Sequence, residues 1–510
     1  MTGEQITVLF AVGAVCALTL LLGSPGLSRS TSDFFVASRR VPPWMNASAI
    51  AGEFLSAASF LGVAGLILAH GTYGLWFPVG YTAGFLILLL FMAAPLRRSG
   101  AYTLPDFVVL RFRSALMRRM TVIVVVAAGW LYIVPQLHGA SIALSATGGA
   151  PGWVGPLLVS LVVLFVVLTG GMRSVTLAQA VQYWVKLTAL LVPTVFILLQ
   201  VGLWDRLQLP AFDGAWSTSL AALGPAGDPW AEFSRSTSVL LALMMGTLGL
   251  PHVLVRFYTN PDGAAARRTT TVLMGLLVLF YLLPVVLGVV ARLVWGTPAA
   301  AGEIARSGGL SHDTAILRLP AAVFDGLSSD LLTALIAGGA FAAFLSTTSG
   351  LVVSVSGVLS QEFFSGTVRG FRLGALLAIA VPLAVGTATS ELALAGAVAM
   401  VFTFTASALA PVMLLGVWWR GLTAQGAIWG MAVGAVSSLT AQVLGLALGE
   451  GPVQPGALQL LVSPALWCVP LAFVVTVVVS RFGRGQPPAH TDAVMLRLHT
   501  PEVPARRDRR

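Results

Sequence analysis

The sequence predicts an all-α integral membrane protein of about thirteen transmembrane helices, built around two inverted five-helix repeats. Three observations predict it. First, only 9% of the 510 residues are charged, while 57% are hydrophobic and the mean hydropathy is +0.90. Soluble domains carry about 25% charged residues, so this chain lacks the charge to cover a water-facing exterior. Second, its apolar residues gather into runs of about the 20 residues that a spanning helix needs. Third, two of those runs, five helices apart, are interrupted by Gly, Pro and polar residues.

The runs lie near 5–23, 44–69, 75–96, 120–146, 153–171, 176–202, 236–258, 271–295, 330–358, 372–389, 392–419, 423–448 and 458–481. They are too long and too continuously apolar for barrel strands, and a helix satisfies its own backbone hydrogen bonds in lipid. Glu4 precedes the first run and no clear cleavage site follows it, so it reads as a span rather than a leader. The expected organisation is a peripheral first helix and loop (1–43), a first repeat (44–202), an outside loop (203–235) and a second repeat (236–419). Two peripheral helices (420–481) and a Pro- and Arg-rich tail (482–510) with the composition of a mobile segment follow. Loops 203–235 and 296–329 are long enough for short helices or a lid.

A formal net charge of +10 raises the question of nucleic acid, and its distribution answers it. With thirteen spans and the N-terminus outside, 23 Arg fall on one side and five on the other. That is the positive-inside asymmetry, which sets the C-terminus in the cytoplasm and calls for no nucleic-acid partner. Cys16 and Cys468 both lie in spans, without a metal-ligand spacing, and read as small buried apolar residues.

The second run contains "AIAGEFLSAASFLGVAG", Ala49 to Gly65, with a carboxylate at Glu53. The seventh contains "MMGTLGLPHVLVRFYT", Met244 to Thr259. Interrupted segments at matching positions of two halves place a solute site at the breaks. Carbonyls freed by a break must find donors in lipid. A sodium ion can replace those donors, since hard cations prefer oxygen; small residues also serve close helix packing. The ninth run, "GGAFAAFLSTTSGLVVSVSG", holds four consecutive hydroxyls, Ser346 to Ser349. An adjacent pair can face an ion, or the hydroxyls can bond back to carbonyls one turn earlier.

Lys186 is the only lysine in the chain. It either pairs or snorkels toward the cytoplasmic end, or it contacts substrate or takes part in coupling. His252, beside Pro251, and His138 read as structural histidines or as solute contacts, His252 also as a proton relay. Arg256 is expected at the cytoplasmic end as an anchor or gate partner. No nucleophile–base pair, phosphate loop with lysine or metalloenzyme motif is visible, so neither an enzyme nor an ATP-driven machine is indicated.

The chain resembles the sodium:solute symporters, in the branch of cation–acetate and other monocarboxylate symporters. The resemblance rests on "SDFFVASRRVPPWMNASAIAGEFLSAASFLGVAG", "GAYTLPDFVVLRF", "LTGGMRSVTLAQAVQ", "GLPHVLVRFYTNPD", "AAFLSTTSGLVVSVSG" and "FTASALAPVMLLGVWWRGLTAQGA", in family order from residue 32 to 427. It implies a LeuT-type inverted-repeat core with broken helices. It implies a sodium site joining carbonyls of Ala51 and Phe54 to Ala343, Ser346 and Thr347. A one-residue shift of register would make the first pair Gly52 and Leu55. Where some family members bind a second ion through an Asp, this chain has Gln179, so one ion per cycle is expected. Substrate candidates beside the breaks are Gln136, Gly246, Thr247, Gly249 and Ser407. Glu53, Lys186, His252 and Arg256 are candidates for coupling or gating. The reading is sodium-coupled uptake of a small monocarboxylate such as acetate, propionate or pyruvate, by a monomer in the cell membrane. Its rivals are a proton-coupled symporter of the same fold, a sodium symporter for another small solute, and a non-transporting sensor.

Overall fold

Glycines with positive φ divide the longest apolar stretches into antiparallel spans. The computed structural model describes residues 2–23, 41–201, 229–295, 312–364, 366–386, 393–448 and 458–502, and these form helices and turns. Helix α1 (Gly3–Leu22) opens with a capping box between Thr2 and Gln5. Helix α2 (Pro43–Phe54) stops at Leu55, and after a π turn (Ala58–Gly62) the span resumes as α3 (Val63–His70). Gly71, at φ 56°, turns the chain back into α4 (Trp76–Ile87) and, past a second π turn, α5 (Ala93–Ser99). Helices α6 (Leu104–Phe112) and α7 (Ala115–Gly148) follow.

Helix α8 covers Val154–Val201, 48 residues. At 1.5 Å per residue that is about 72 Å, more than twice the thickness of a hydrocarbon core. Gly171, at φ 59° and ψ −158°, breaks it into two arms. Helices α9 (Pro229–Gly246) and α10 (Pro251–Phe257) form the second broken span, bent by 49°. The remaining helices are α11 (Gly263–Trp295), α12 (Ala315–Val323), α13 (Gly326–Phe363), α14 (Val368–Gly386), α15 (Leu394–Ala408) and α16 (Ala410–Trp418). Helices α17 (Ala424–Leu448), α18 (Leu458–Val462), α19 (Ala465–Phe482) and α20 (Thr491–His499) complete the chain.

Among the described residues, ten helices are long and apolar enough to cross a membrane, or eleven with the bent pair. Two of the ten each hold two of the sequence runs, on either side of Gly71 and Gly171, so the described part of each of the thirteen runs is helical apart from the breaks. Helix α13 lies at the centre: 89% of its apolar window is buried, against 22% for α1. It packs on α8, α7, α2 and α10.

The tail differs from expectation. Within the segment read as mobile, Thr491–His499 folds as α20, which buries Val494, Met495 and Leu498 against the ends of α5, α6 and α16. Arg111 on α6 explains the docking: it is fully buried and donates to the Thr491 hydroxyl (3.0 Å) and to the carbonyls of Gly416 (3.2 Å) and Trp419 (3.1 Å). Most of the loop expected at 203–235, and residues 296–311 of the other, fall outside the described residues.

Candidate functional site

The α2 helix ends in the middle of its span, where Leu55 (φ −73°, ψ 85°) leaves helical geometry. The chain is held at the break by specific hydrogen bonds. Gln136 on α7 accepts from the Ala57 N–H at 2.9 Å. The Thr347 hydroxyl on α13 donates to the Glu53 carbonyl at 2.6 Å. Lys186, from the second arm of α8, donates to the Leu55 carbonyl at 2.8 Å and to the Gly52 carbonyl.

The Glu53 side chain lies on the same turn and is 1% exposed. Its Oε2 accepts from Arg256 Nε at 2.6 Å. Arg256, equally buried on α10, also donates to the Thr176 hydroxyl (2.6 Å), to Met172 Sδ (2.9 Å) and to Gln179 Oε1. The Gln179 amide donates onward to the Ser346 carbonyl at 2.7 Å. The Asn46 amide donates to the Arg256 carbonyl at 3.1 Å. An unbroken polar chain thus ties both broken spans to α8 and α13 in an otherwise apolar core. Two glycines make room for it. A Cβ on Gly350 would land on the Glu53 carboxylate, and one on Gly52 would land on the Gln179 carbonyl.

The structure brings together Glu53, Lys186, Arg256, Ser346 and Thr347. Of the two registers left open at the break, Gly52 and Leu55 supply the carbonyls that face Lys186. The Ala51 carbonyl takes the Leu55 N–H at 3.0 Å, and the Ser346 hydroxyl donates to the Ala343 carbonyl at 3.0 Å. Phe54 points into an aromatic cluster with Tyr81 (centroids 5.4 Å apart), Phe85 (4.7 Å) and Phe402 (6.2 Å).

Lys186 pairs rather than snorkels: it is fully buried and donates to the carbonyls at the break. One position differs from expectation. Arg256 is no surface anchor, because Glu53 needs a buried cation and draws it inward.

The substrate candidates separate into two kinds. Gly246 and Gly249 lie against the backbone of α15, where a Cβ would meet the Phe402 and Thr405 carbonyls at 2.6 Å in each case. The Thr247 hydroxyl donates back to the Leu243 carbonyl at 2.8 Å. These three fit close helix packing. By contrast, the Ser407 hydroxyl and both ring nitrogens of His252 are buried with no hydrogen-bond partner among the described residues. His252 stands edge-on to Tyr132 at 5.3 Å, and Tyr132 adjoins Phe402 at 6.0 Å. His138 lies elsewhere, lining a cavity of about 480 Å³ with Ser141, Trp153 and Leu383.

Sequence reasoning missed Thr176 and the aromatic group of Tyr81, Tyr132 and Phe402. A signal for Thr176 existed: with Gln179 it forms an i, i+3 polar pair on one face of an apolar helix.

The sodium:solute symporter family matches residues 34–434. The "Monocarboxylic acid transporter" of Corynebacterium glutamicum is 28% identical over 502 residues, covering 91% of this chain and 89% of its own. The "Uncharacterized symporter YwcA" of Bacillus subtilis is 27% identical over 478 residues, covering 90% and 91%. Among solved structures, a Na+-coupled sialic acid symporter superposes with a TM-score of 0.67 at 14% identity, over 94% of this chain and 99% of that one. That likeness shows the fold, an inverted-repeat core of the LeuT type.

Proposed function

The chain belongs to the sodium:solute symporter family, and from that membership we propose that it takes up a small monocarboxylate together with a cation by alternating access. The observation that carries the reading is the meeting of the two broken spans in one buried polar cluster, joined by Glu53 and Arg256. Broken helices at corresponding positions are where transporters of this architecture bind solute. A cluster that links both breaks to α13 and α8 can respond to solute at one break by moving the other. Coupling then arises from the difference in affinity between the outward- and inward-facing states.

Family membership and the Na+-coupled neighbour support sodium as the coupling ion. Its ligands in this chain would come from α2 (Ala51 and Phe54) and α13 (Ala343, Ser346 and Thr347). The 28% identical relative supports a monocarboxylate as solute. Acetate, propionate and pyruvate suit a site with few charges. His252 and Ser407 supply buried polar atoms in need of a partner, and we assign them to the solute. The arginine asymmetry supports an N-terminus outside and a C-terminus in the cytoplasm, in the cell membrane. The protein works as a monomer, with no need of nucleic acid.

The test is uptake of labelled acetate, propionate, pyruvate and lactate into proteoliposomes, against protein-free liposomes. Sodium and pH gradients are imposed separately. Accumulation of at least one acid under either gradient is expected. No accumulation of any under both would refute the reading.

A further inference from the structure

The break in α2 demands positive partners for its freed carbonyls, and the chain supplies one itself. Lys186 donates to Gly52 and Leu55 on either side of Glu53, at the same break to which a bare sodium ion was assigned. Ammonium and sodium compete for the same kind of ligand, carbonyl oxygen. The neighbouring α13 hydroxyls are already oriented by backbone carbonyls. Thr347 donates to the Glu53 carbonyl and Ser346 to the Ala343 carbonyl. Charge points the same way. Glu53 is the carboxylate of the cluster and is paired with Arg256, and Gln179 adds no charge. With Lys186 present the cluster already holds more positive than negative charge, and a second cation would add to the excess.

The residues of the site therefore do not fit a sodium ion beside Lys186. We infer that the Lys186 ammonium is itself the cation of this site, so that the chain binds no sodium there and moves its solute without sodium. The inference rests on the symporter reading for the solute and revises only its ion.

Two measurements test it. Purified protein is melted in sodium chloride, potassium chloride and choline chloride at equal ionic strength. A ligand that binds only the folded state raises the midpoint with the logarithm of its concentration. The wild type is expected to melt alike in all three salts. A sodium-specific rise would overturn the inference. In the second measurement, liposomes preloaded with unlabelled pyruvate or acetate exchange it for label, with sodium or choline on both sides. Equal rates, within about twofold, are expected, and exchange that requires sodium would overturn the inference. If neither acid exchanges, the monocarboxylate reading fails while the melting comparison still decides the ion. Lys186→Met keeps an unbranched apolar stem, ends one atom short of the ammonium and frees both carbonyls. It should acquire the sodium-specific rise that the wild type lacks. A folded Lys186→Met protein that melts alike in all salts would also refute the assignment.

Discussion

Replacing Glu53 by Gln removes the charge that Arg256 faces while nearly preserving shape. Both side chains are 1% exposed and the Nε to Oε2 distance is 2.6 Å, so water cannot take over. Arg256 would keep Thr176, Met172 and Gln179, which are neutral. Removing one partner of a buried pair costs roughly 3–5 kcal/mol, chiefly because the other charge stays buried alone. At about 2 °C per kcal/mol for a long chain, the midpoint should fall by about 6–10 °C. Arg256→Met alone should cost a similar amount. The double variant removes both charges and should lose less than the sum, by an interaction of about 0.5–3 kcal/mol. Thermal unfolding of the four proteins in one detergent, with solute exchange measured on each, supplies the cycle. A single variant that melts within about 1 °C of wild type, or a double variant that loses the full sum, would show that the pair does not join the breaks.

Further outcomes follow from other contacts. Gly52→Ala pushes a Cβ onto the Gln179 carbonyl and should lower both midpoint and exchange, whereas Gly275→Ala, with nothing within 4 Å, should leave exchange intact. Thr491→Val removes one acceptor from buried Arg111 and should cost about 1–3 kcal/mol; an unchanged midpoint would mean that α20 does not depend on that bond. Asp313 precedes α12, outside the spans, and burial pushes its carboxyl up to about 6, opposed by the Leu394 N–H that it accepts. Its folded value exceeds its unfolded value, so the stability it contributes is present below about pH 4 and is lost as pH rises through 6. Asp313→Asn should therefore melt higher than wild type at pH 7–8, with the advantage shrinking toward pH 4. A difference independent of pH would refute that environment.

The spans were legible because hydropathy is a property of the solvent that a helix meets. The breaks were legible because Gly249, Pro251 and Glu53 are residues that lipid penalises. What the sequence left open was depth and register. Snorkelling stayed open for Lys186 because the sixth apolar run begins near residue 176, which puts it about two to three turns inside the cytoplasmic end. The turn is at Gly171, fifteen residues before Lys186, or about 22 Å along the arm and past the midplane of a core about 30 Å thick. Helix α20 was masked by the Pro and Arg around it, although Val494 and Leu498 recur at i, i+4.

Register is the harder limit. A shift of one residue in α2 turns a carbonyl by about 100° around the helix axis, enough to exchange the neighbour it faces. Ala51 and Phe54, or Gly52 and Leu55, suit the sequence pattern equally. Only packing chooses, through the bare faces of Gly52 and Gly350 that let Gln179 and Glu53 approach. The same rule, that a freed carbonyl must find a donor, led first to a sodium ion and then to an ammonium. It fixes the sign of the partner and leaves its identity to geometry. Twenty-nine residues are basic, and the single lysine among them is the one carried to the break. An arginine there would bring a planar fork of five donors in place of a point charge. Lysine brings a compact charge on a flexible stem, close to a monovalent ion in kind.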